Sequence, residues 1–166
     1  MQNSSPAQCE KALQQARKAQ KNCAQTSVGQ RAECLLNYAE ALQKNAPELI
    51  MLMAREAGKT LDDGISEVRE AVDFCRYYAA EAQRIATLGA FAPRGLFVCI
   101  SPWNFPLAIF SGQIAAALVS GNVVIAKPAE QSPLIAQRAT ELLHDAGIPQ
   151  AVGKLGPLAP GAAQKA

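Results

Sequence analysis

The fold is decided by the stretch LFVCISPWNFPLAIFSGQIAAALVSGNVVIAKPAEQSP, which runs from Leu96 to Pro133. It contains two short apolar runs, Leu96–Ile100 and Asn122–Ala126, and a longer one, Leu107–Ser120, between them. Short, continuously apolar runs are typical of strands buried on both faces of a parallel sheet. The longer run predicts a buried helix, because it is too long for one ordinary strand.

A second helix is predicted after the second strand. Ser132 and Pro133 suit the N-cap and the first turn of that helix, and Gly147 suits its end. The order is then strand, loop, helix, strand, loop, helix. This order predicts an α/β fold in which a βαβα unit forms part of a doubly wound, Rossmann-like parallel sheet.

In residues 1–88, apolar residues recur at intervals of three and four, which predicts four helices. The first ends near Asn22, and the second follows Ser27. The third carries Pro47 in its first turn and Gly58 at its end. The fourth begins near Thr60 or Asp62, and its acidic residues Asp62, Asp63 and Glu67 complement the helix dipole. We expect it to bury Ile65, Val68, Val72, Cys75, Tyr78 and Ile85. This half shows no catalytic constellation.

The last twenty residues contain seven Gly or Pro and predict neither a strand nor a helix. We therefore divide the chain into a helical segment, 1–88, a βαβα unit, 89–149, and a poorly ordered tail, 150–166. Without a third strand the sheet keeps an open edge, through which we expect self-association. We also expect the chain to be a truncated part of a larger domain.

Composition excludes several classes of function. The 166 residues carry a formal charge of only +2, so a nucleic-acid binder that neutralises phosphates is excluded. No apolar core of a secretory signal follows Met1. The uncharged stretch Gly95–Ala126 is long enough to cross a bilayer, but prolines and polar residues interrupt it, so a transmembrane segment is rejected.

Five cysteines are present, and no two of them form a CxxC pair: Cys9, Cys23, Cys34, Cys75 and Cys99. Most lie at apolar positions of predicted helices or strands, which favours buried, reduced thiols in a cytoplasmic protein. With a single histidine, His144, no metal site is expected.

The two loops that follow the strands carry the candidate functional residues. Ligands bind beyond the carboxyl ends of strands in open α/β sheets, and adjacent parallel strands place such loops side by side. Asn104 lies on a loop stiffened by Pro102 and Pro106, where its amide could stabilise an oxyanion. A structural alternative is that Asn104 bonds its own turn, while Trp103 and Phe105 pack in the core.

Lys127 and Glu130 follow the second strand. A lysine and a carboxylate at a strand end can bind the vicinal hydroxyls of a ribose, the first donating and the second accepting hydrogen bonds. The alternative is a surface ion pair that caps the next helix. Neither GxGxxG nor GxxxxGK is present, so both common phosphate-binding fingerprints are absent.

The stretch Cys99–Ala136, CISPWNFPLAIFSGQIAAALVSGNVVIAKPAEQSPLIA, resembles the aldehyde dehydrogenase superfamily, whose PWNFP and KPAE segments are highly specific. With REAGKTLDDGISEVREAVDFCRYYAAEA, Arg55–Ala82, the resemblance narrows to the aldehyde dehydrogenase domain of the bacterial proline utilization A family. It covers roughly Ala7 to Pro149. It implies a truncated aldehyde dehydrogenase fold, with residues 89–149 as part of the NAD-binding unit.

The resemblance also implies roles for particular residues. Asn104 matches the catalytic asparagine whose amide stabilises the oxyanion. Lys127 and Glu130 match the pair that holds the adenosine ribose of NAD, and Ser101 and Trp103 match residues along the path of that cofactor. Two residues match positions near the aldehyde substrate: Phe105 and Glu70.

By this resemblance, the intact enzyme oxidises L-glutamate γ-semialdehyde to glutamate with NAD in proline catabolism. None of the five cysteines matches the family's nucleophile, and the nucleophile and the glutamate general base are expected beyond this chain. The isolated chain is therefore expected to be inactive. Two alternatives stay open, namely a non-catalytic remnant that binds a nucleotide or partner weakly, and an aldehyde dehydrogenase for another substrate.

Overall fold

Six helices and three strands make up the part of the chain that the structure, a computed structural model, describes. That part comprises residues 5–89 and 91–150 and the backbone of 153–155. The elements in chain order are α1 Pro6–Gln25, α2 Val28–Lys44, α3 Ala46–Ala57, α4 Leu61–Ala86, β1 Leu96–Ile100, α5 Ala108–Val119, β2 Val123–Lys127, α6 Pro133–Asp145 and β3 Gly153–Leu155.

The helix ends follow from local capping chemistry. Ser5 and Ser27 each form a capping box with the glutamine three residues later, which satisfies amides that the first turn leaves free. Helix α3 ends at Gly58, whose φ of 64° suits glycine, and Thr60 then caps α4. The four predicted helices are confirmed, although α1 continues three residues past Asn22.

All three strands are parallel, in the order β1-β2-β3. In the register, Leu96 pairs with Val123 and Ile100 with Lys127, so β1 and β2 end level with each other. The prediction that no strand follows α6 is wrong, because Gly153–Leu155 pairs with β2. The remaining residues of the predicted tail, 151–152 and 156–166, lie outside the described residues.

Burial of the strands differs from the prediction. Strand β2 is buried at Val123–Ala126, as expected. Strand β1 is not, since Phe97, Val98 and Ile100 are 41%, 54% and 63% exposed. It is the first strand in the sheet, with no described strand on its outer side, so apolar composition alone overestimated its burial. In α4, Ile85 is likewise exposed, and Ile65 and Tyr78 are only half-buried.

Helix α1 is bonded to the start of β2, about a hundred residues away in the chain. The Gln20 amide donates to the Gly121 carbonyl at 3.1 Å, and its oxygen accepts from the Val123 N–H at 3.0 Å. The Cys23 thiol donates to the Asn122 carbonyl at 3.3 Å. The helical segment and the βαβαβ unit consequently share one continuous hydrophobic core.

Helix α5 lies in the middle of this core and touches α2 and α4. The buried Tyr38 hydroxyl of α2 is 3.1 Å from the Ser111 hydroxyl of α5. Gly112 faces Phe74 of α4 so closely that a Cβ at this position would lie 2.8 Å from the ring. The approach of α4 to α5 therefore depends on the missing side chain at Gly112.

We predict that Gly112→Ala lowers the free energy of unfolding by about 1–3 kcal/mol, because the added methyl group overpacks the contact with Phe74. Gly29→Ala is the matched control. Among the described residues, no atom outside the backbone of α2 lies within 4 Å of a Cβ there, so the substitution should be neutral or slightly stabilising. Urea denaturation of both variants tests this, and equal effects would contradict the close approach.

Candidate active site

The two loops that carry the candidate residues lie side by side. The Ser101 N–H, just after β1, donates to the carbonyl of Lys127, the last residue of β2, at 3.2 Å. Ser101 itself is buried. This bond joins the start of the loop 101–107 to the start of the loop 128–132. The prediction that the two loops lie side by side is thus confirmed.

The far end of the loop 101–107 is held by a carboxylate from α4. One oxygen of Glu67, Oε1, accepts from the N–H groups of Leu107 and Ala108 at 2.8 and 3.2 Å. These amides belong to the N-terminus of α5, where no preceding turn supplies an acceptor. Glu67 is 2% exposed, so these bonds are shielded from water. Glu67 was predicted to complement the dipole of its own helix, whereas its carboxylate binds the first amides of α5.

Lys59, in the connection between α3 and α4, balances the charge of Glu67. Its Nζ lies 3.0 Å from the other carboxylate oxygen, and the two side chains are 15% and 1% exposed. The same Nζ lies 4.3 Å from the ring centroid of Phe105. A cation at that distance over an aromatic face is attracted to the ring. Lys59 therefore contacts both the buried cap and the loop that the cap holds.

The middle of this loop projects into solvent. Trp103 is 51% and Phe105 39% exposed, and the Asn104 side chain is also exposed. Asn104 makes no side-chain hydrogen bond to any described residue, so it does not bond its own turn. The alternative interpretations, in which Asn104 bonds its own turn while Trp103 and Phe105 pack in the core, are therefore not supported. Their exposed polar and aromatic groups are available to a ligand.

The second loop is held in the same way. The carboxylate of Glu56, near the end of α3, accepts from the N–H groups of Leu134 and Ile135 at 2.9 and 2.8 Å. Ser132 is the N-cap residue of α6 and Pro133 lies in its first turn, as predicted, but the buried Ser132 hydroxyl makes no hydrogen bond to any described residue. The N-terminus of α6 is therefore capped by a residue from the helical segment.

Lys127 and Glu130 are both exposed on this second loop. They form no ion pair with each other or with any other residue that the structure describes, and they do not cap α6. The alternative interpretation of this pair, a surface ion pair that caps α6, is therefore not supported. Both charged groups are free to bind the hydroxyls of a ligand.

Glu70 lies on α4 one turn after Glu67, and its side chain is exposed. No described residue forms a hydrogen bond or an ion pair with it. The residues that sequence reasoning missed are Lys59, Glu67 and Glu56. Their acidic or basic character was visible, but their partners in the two loops lie tens of residues away, so no local spacing could have revealed these contacts.

All five cysteines are free. Burial raises the pKa of the Cys75 thiol to about 12, and it also raises the pKa values of the Cys23, Cys34 and Cys99 thiols. These four thiols are therefore protonated at neutral pH, which is the opposite of what a nucleophile needs. Among the described residues no cluster could hold a metal ion, and no helix has the length and apolar character to span a membrane.

Comparison with known proteins decides the family. The sequence profile of the aldehyde dehydrogenase family matches residues 1–158. The chain belongs to the aldehyde dehydrogenase family. This confirms the resemblance carried by the PWNFP and KPAE segments, and it agrees with the predicted truncated α/β fold of that family.

Individual members of the aldehyde dehydrogenase family give the same result. The bifunctional protein PutA of Rhizobium meliloti is 56% identical over 130 residues, which are 78% of this chain and 10% of that protein. A crystal structure of bifunctional proline utilization A has a TM-score of 0.89 at 45% identity and covers 94% of this chain and 17% of that chain. The NAD-bound 1-pyrroline-5-carboxylate dehydrogenase from Thermus has a TM-score of 0.88 at 34% identity, covering 94% and 33%.

The chain spans only about a tenth of the length of the curated PutA relative and a third of the Thermus dehydrogenase. The structural similarity to proline utilization A nonetheless extends over 94% of this chain. The structural frame of an aldehyde dehydrogenase is thus shown for this part of the chain.

We predict that Glu56→Ala lowers the free energy of unfolding by about 1.5–3 kcal/mol, because two amides of α6 lose a charged acceptor. Ser132→Ala is the control. It should be neutral or stabilising, since the buried hydroxyl of Ser132 has no partner to lose in the part of the chain that the structure describes. Thermal denaturation of both variants measures the effects. A larger loss of stability for Ser132→Ala than for Glu56→Ala would show that Ser132, and not Glu56, caps α6.

Proposed function

We propose that this chain is the N-terminal part of an NAD-dependent aldehyde dehydrogenase that oxidises L-glutamate γ-semialdehyde to glutamate in proline catabolism. The observation that carries the proposal is the hydrogen bond from Ser101 to Lys127, which joins two loops whose exposed Asn104, Lys127 and Glu130 side chains have no partner among the described residues. The similarity to PutA and to 1-pyrroline-5-carboxylate dehydrogenase supports the choice of substrate.

The residues of the second loop fit the adenosine ribose of NAD. The Lys127 ammonium can donate to one ribose hydroxyl, and the Glu130 carboxylate can accept from the other. A carboxylate there would repel a 2′-phosphate, which favours NAD over NADP. NAD, when bound, accepts the hydride that leaves the substrate carbon.

The first loop lies between the cofactor and the substrate in this proposal. The N–H of Ser101 is already bonded to Lys127, so Ser101 would contact the cofactor through its remaining backbone atoms. Trp103 lines the same path. Phe105 would lie beside the aldehyde, and Glu70, exposed on α4, would lie at the edge of the substrate pocket.

Asn104 carries the catalytic role within this chain. When a thiolate attacks an aldehyde, the carbonyl oxygen becomes negatively charged, and a fixed amide N–H group stabilises that charge. The side chain of Asn104 has no competing bond within the described residues. We propose that a cysteine and a general base outside these 166 residues supply the attack and the hydrolysis of the thioester.

The proposal includes a cytoplasmic location, which the free thiols of all five cysteines support. Self-association stays a prediction. The surface that would carry it is the outer edge of β1, where Val98 and Ile100 are exposed, and not the edge beyond β2, which β3 occupies.

The proposal is tested by exchanging the matched 130 residues of the Rhizobium meliloti relative for those of this chain. We expect the hybrid to oxidise L-glutamate γ-semialdehyde with NAD at a rate near that of the parent, measured in parallel. Asn104→Ala in the hybrid should lower kcat by about 10²–10³, because one oxyanion donor is lost. Asn37→Ala, at an exposed site on α2, is the control and should change little.

Lys127→Ala in the same hybrid should raise KM for NAD with little change in kcat, because a ribose contact is made equally in the ground and transition states. A folded hybrid without activity would contradict the proposed function. So would a hybrid in which Asn104→Ala and Asn37→Ala behave alike.

A further inference from the structure

Lys59 is the one described lysine that contacts both a buried carboxylate and an exposed aromatic ring. No role was expected for it from the sequence. Its position at the junction of α3 and α4 is remote in sequence from the loop 101–107, yet its Nζ lies 4.3 Å from the centre of the Phe105 ring. We propose that Lys59, together with Glu67, is a positioning residue that fixes the loop carrying Asn104.

The loop has one anchor at each end. At its start, the Ser101 N–H bonds to the carbonyl of Lys127. At its end, Glu67 binds the amides of Leu107 and Ala108. Between these anchors residues 102–105 are exposed, and the Lys59 ammonium lies over the ring of Phe105. Asn104 directly precedes Phe105, so fixing that ring limits where the Asn104 amide can point.

The charges explain why a lysine is needed. Glu67 has a side chain only 1% exposed, and an unpaired carboxylate buried to that degree would be strongly destabilised. Lys59 provides the opposite charge, with its Nζ 3.0 Å from the Glu67 carboxylate, and the same ammonium group contacts the Phe105 ring. One cation thus couples the buried cap of α5 to the exposed aromatic residue.

This inference rests on the proposed function, because fixing Asn104 matters for catalysis only if its amide stabilises an oxyanion. An oxyanion donor is effective when its position is set before the reaction, so that no reorganisation is needed as charge develops. Lys59 touches no reacting atom in this account. It acts through Phe105 and Glu67.

The test uses Trp103, the only tryptophan, as a reporter within the loop. In the 166-residue chain, Lys59→Met should increase the fraction of molecules in which the loop around Trp103 moves rapidly. The expected increase is about 2- to 5-fold, which corresponds to the loss of one cation–π contact. Time-resolved fluorescence anisotropy measures that motion without NAD. Lys59→Arg, which keeps the cation, should restore the wild-type decay.

Lys18→Met, at an exposed site on α1, is the control for loss of a lysine. The double variant Lys59→Met with Glu67→Gln separates positioning from charge balance, since it leaves no buried charge and retains an acceptor for the α5 amides. If Lys59 positions the loop, Trp103 stays mobile in the double variant. If the double variant or Lys59→Met shows the wild-type anisotropy in a folded chain, the proposal is overturned.

Catalysis is measured separately in the hybrid enzyme. Lys59→Met should lower kcat by a larger factor than it raises KM for NAD, because the ribose contacts of Lys127 and Glu130 lie on the other loop. An unchanged kcat would overturn the catalytic part of the inference. An inactive hybrid would count against the proposed function alone, since the anisotropy of Trp103 still decides whether Lys59 fixes the loop.

Discussion

The contact on which this structure depends is the buried carboxylate of Glu67 against the first amides of α5. A helix that begins inside the core leaves amides without acceptors, and each would cost free energy if left unpaired. The local sequence there, a proline followed by apolar residues, offers no capping side chain. A charged group from α4 supplies the bonds, and Glu56 of α3 does the same for α6. The helical segment thereby helps to determine where both loops end and the next helices begin.

This arrangement also limits where a dinucleotide can bind. The N-termini of helices that follow strands commonly hold phosphate, because their amides point at the ligand and the helix dipole favours negative charge. In α5 and α6 those positions already face Glu67 and Glu56, so a pyrophosphate would meet a carboxylate at either one. The lack of both phosphate-binding fingerprints in the sequence agrees with this. Under the proposed function, these loops would therefore contact NAD away from its pyrophosphate.

Much of the fold was predictable because it follows from local rules. Caps such as Thr60 and the apolar runs of α5 and β2 identified the helices and the parallel βαβα order. The role of Glu67 was not predictable. An acidic residue early in a helix is ordinarily explained by the helix dipole, whereas the amides that Glu67 binds are forty residues away. Strand β3 was missed because its residues lie in a stretch rich in glycine and proline. Burial of β1 was overestimated because hydrophobicity does not distinguish an edge strand from a central one.

Amide hydrogen exchange of the isotopically labelled chain tests the central claim most directly. If Glu67 caps α5, the amides of Leu107 and Ala108 exchange slowly, and Glu67→Ala abolishes that protection. The amides of Leu134 and Ile135, held by Glu56, should keep theirs in the same variant. Rapid exchange of Leu107 and Ala108 in the unmodified chain, or equal protection in Glu67→Ala, would contradict the account.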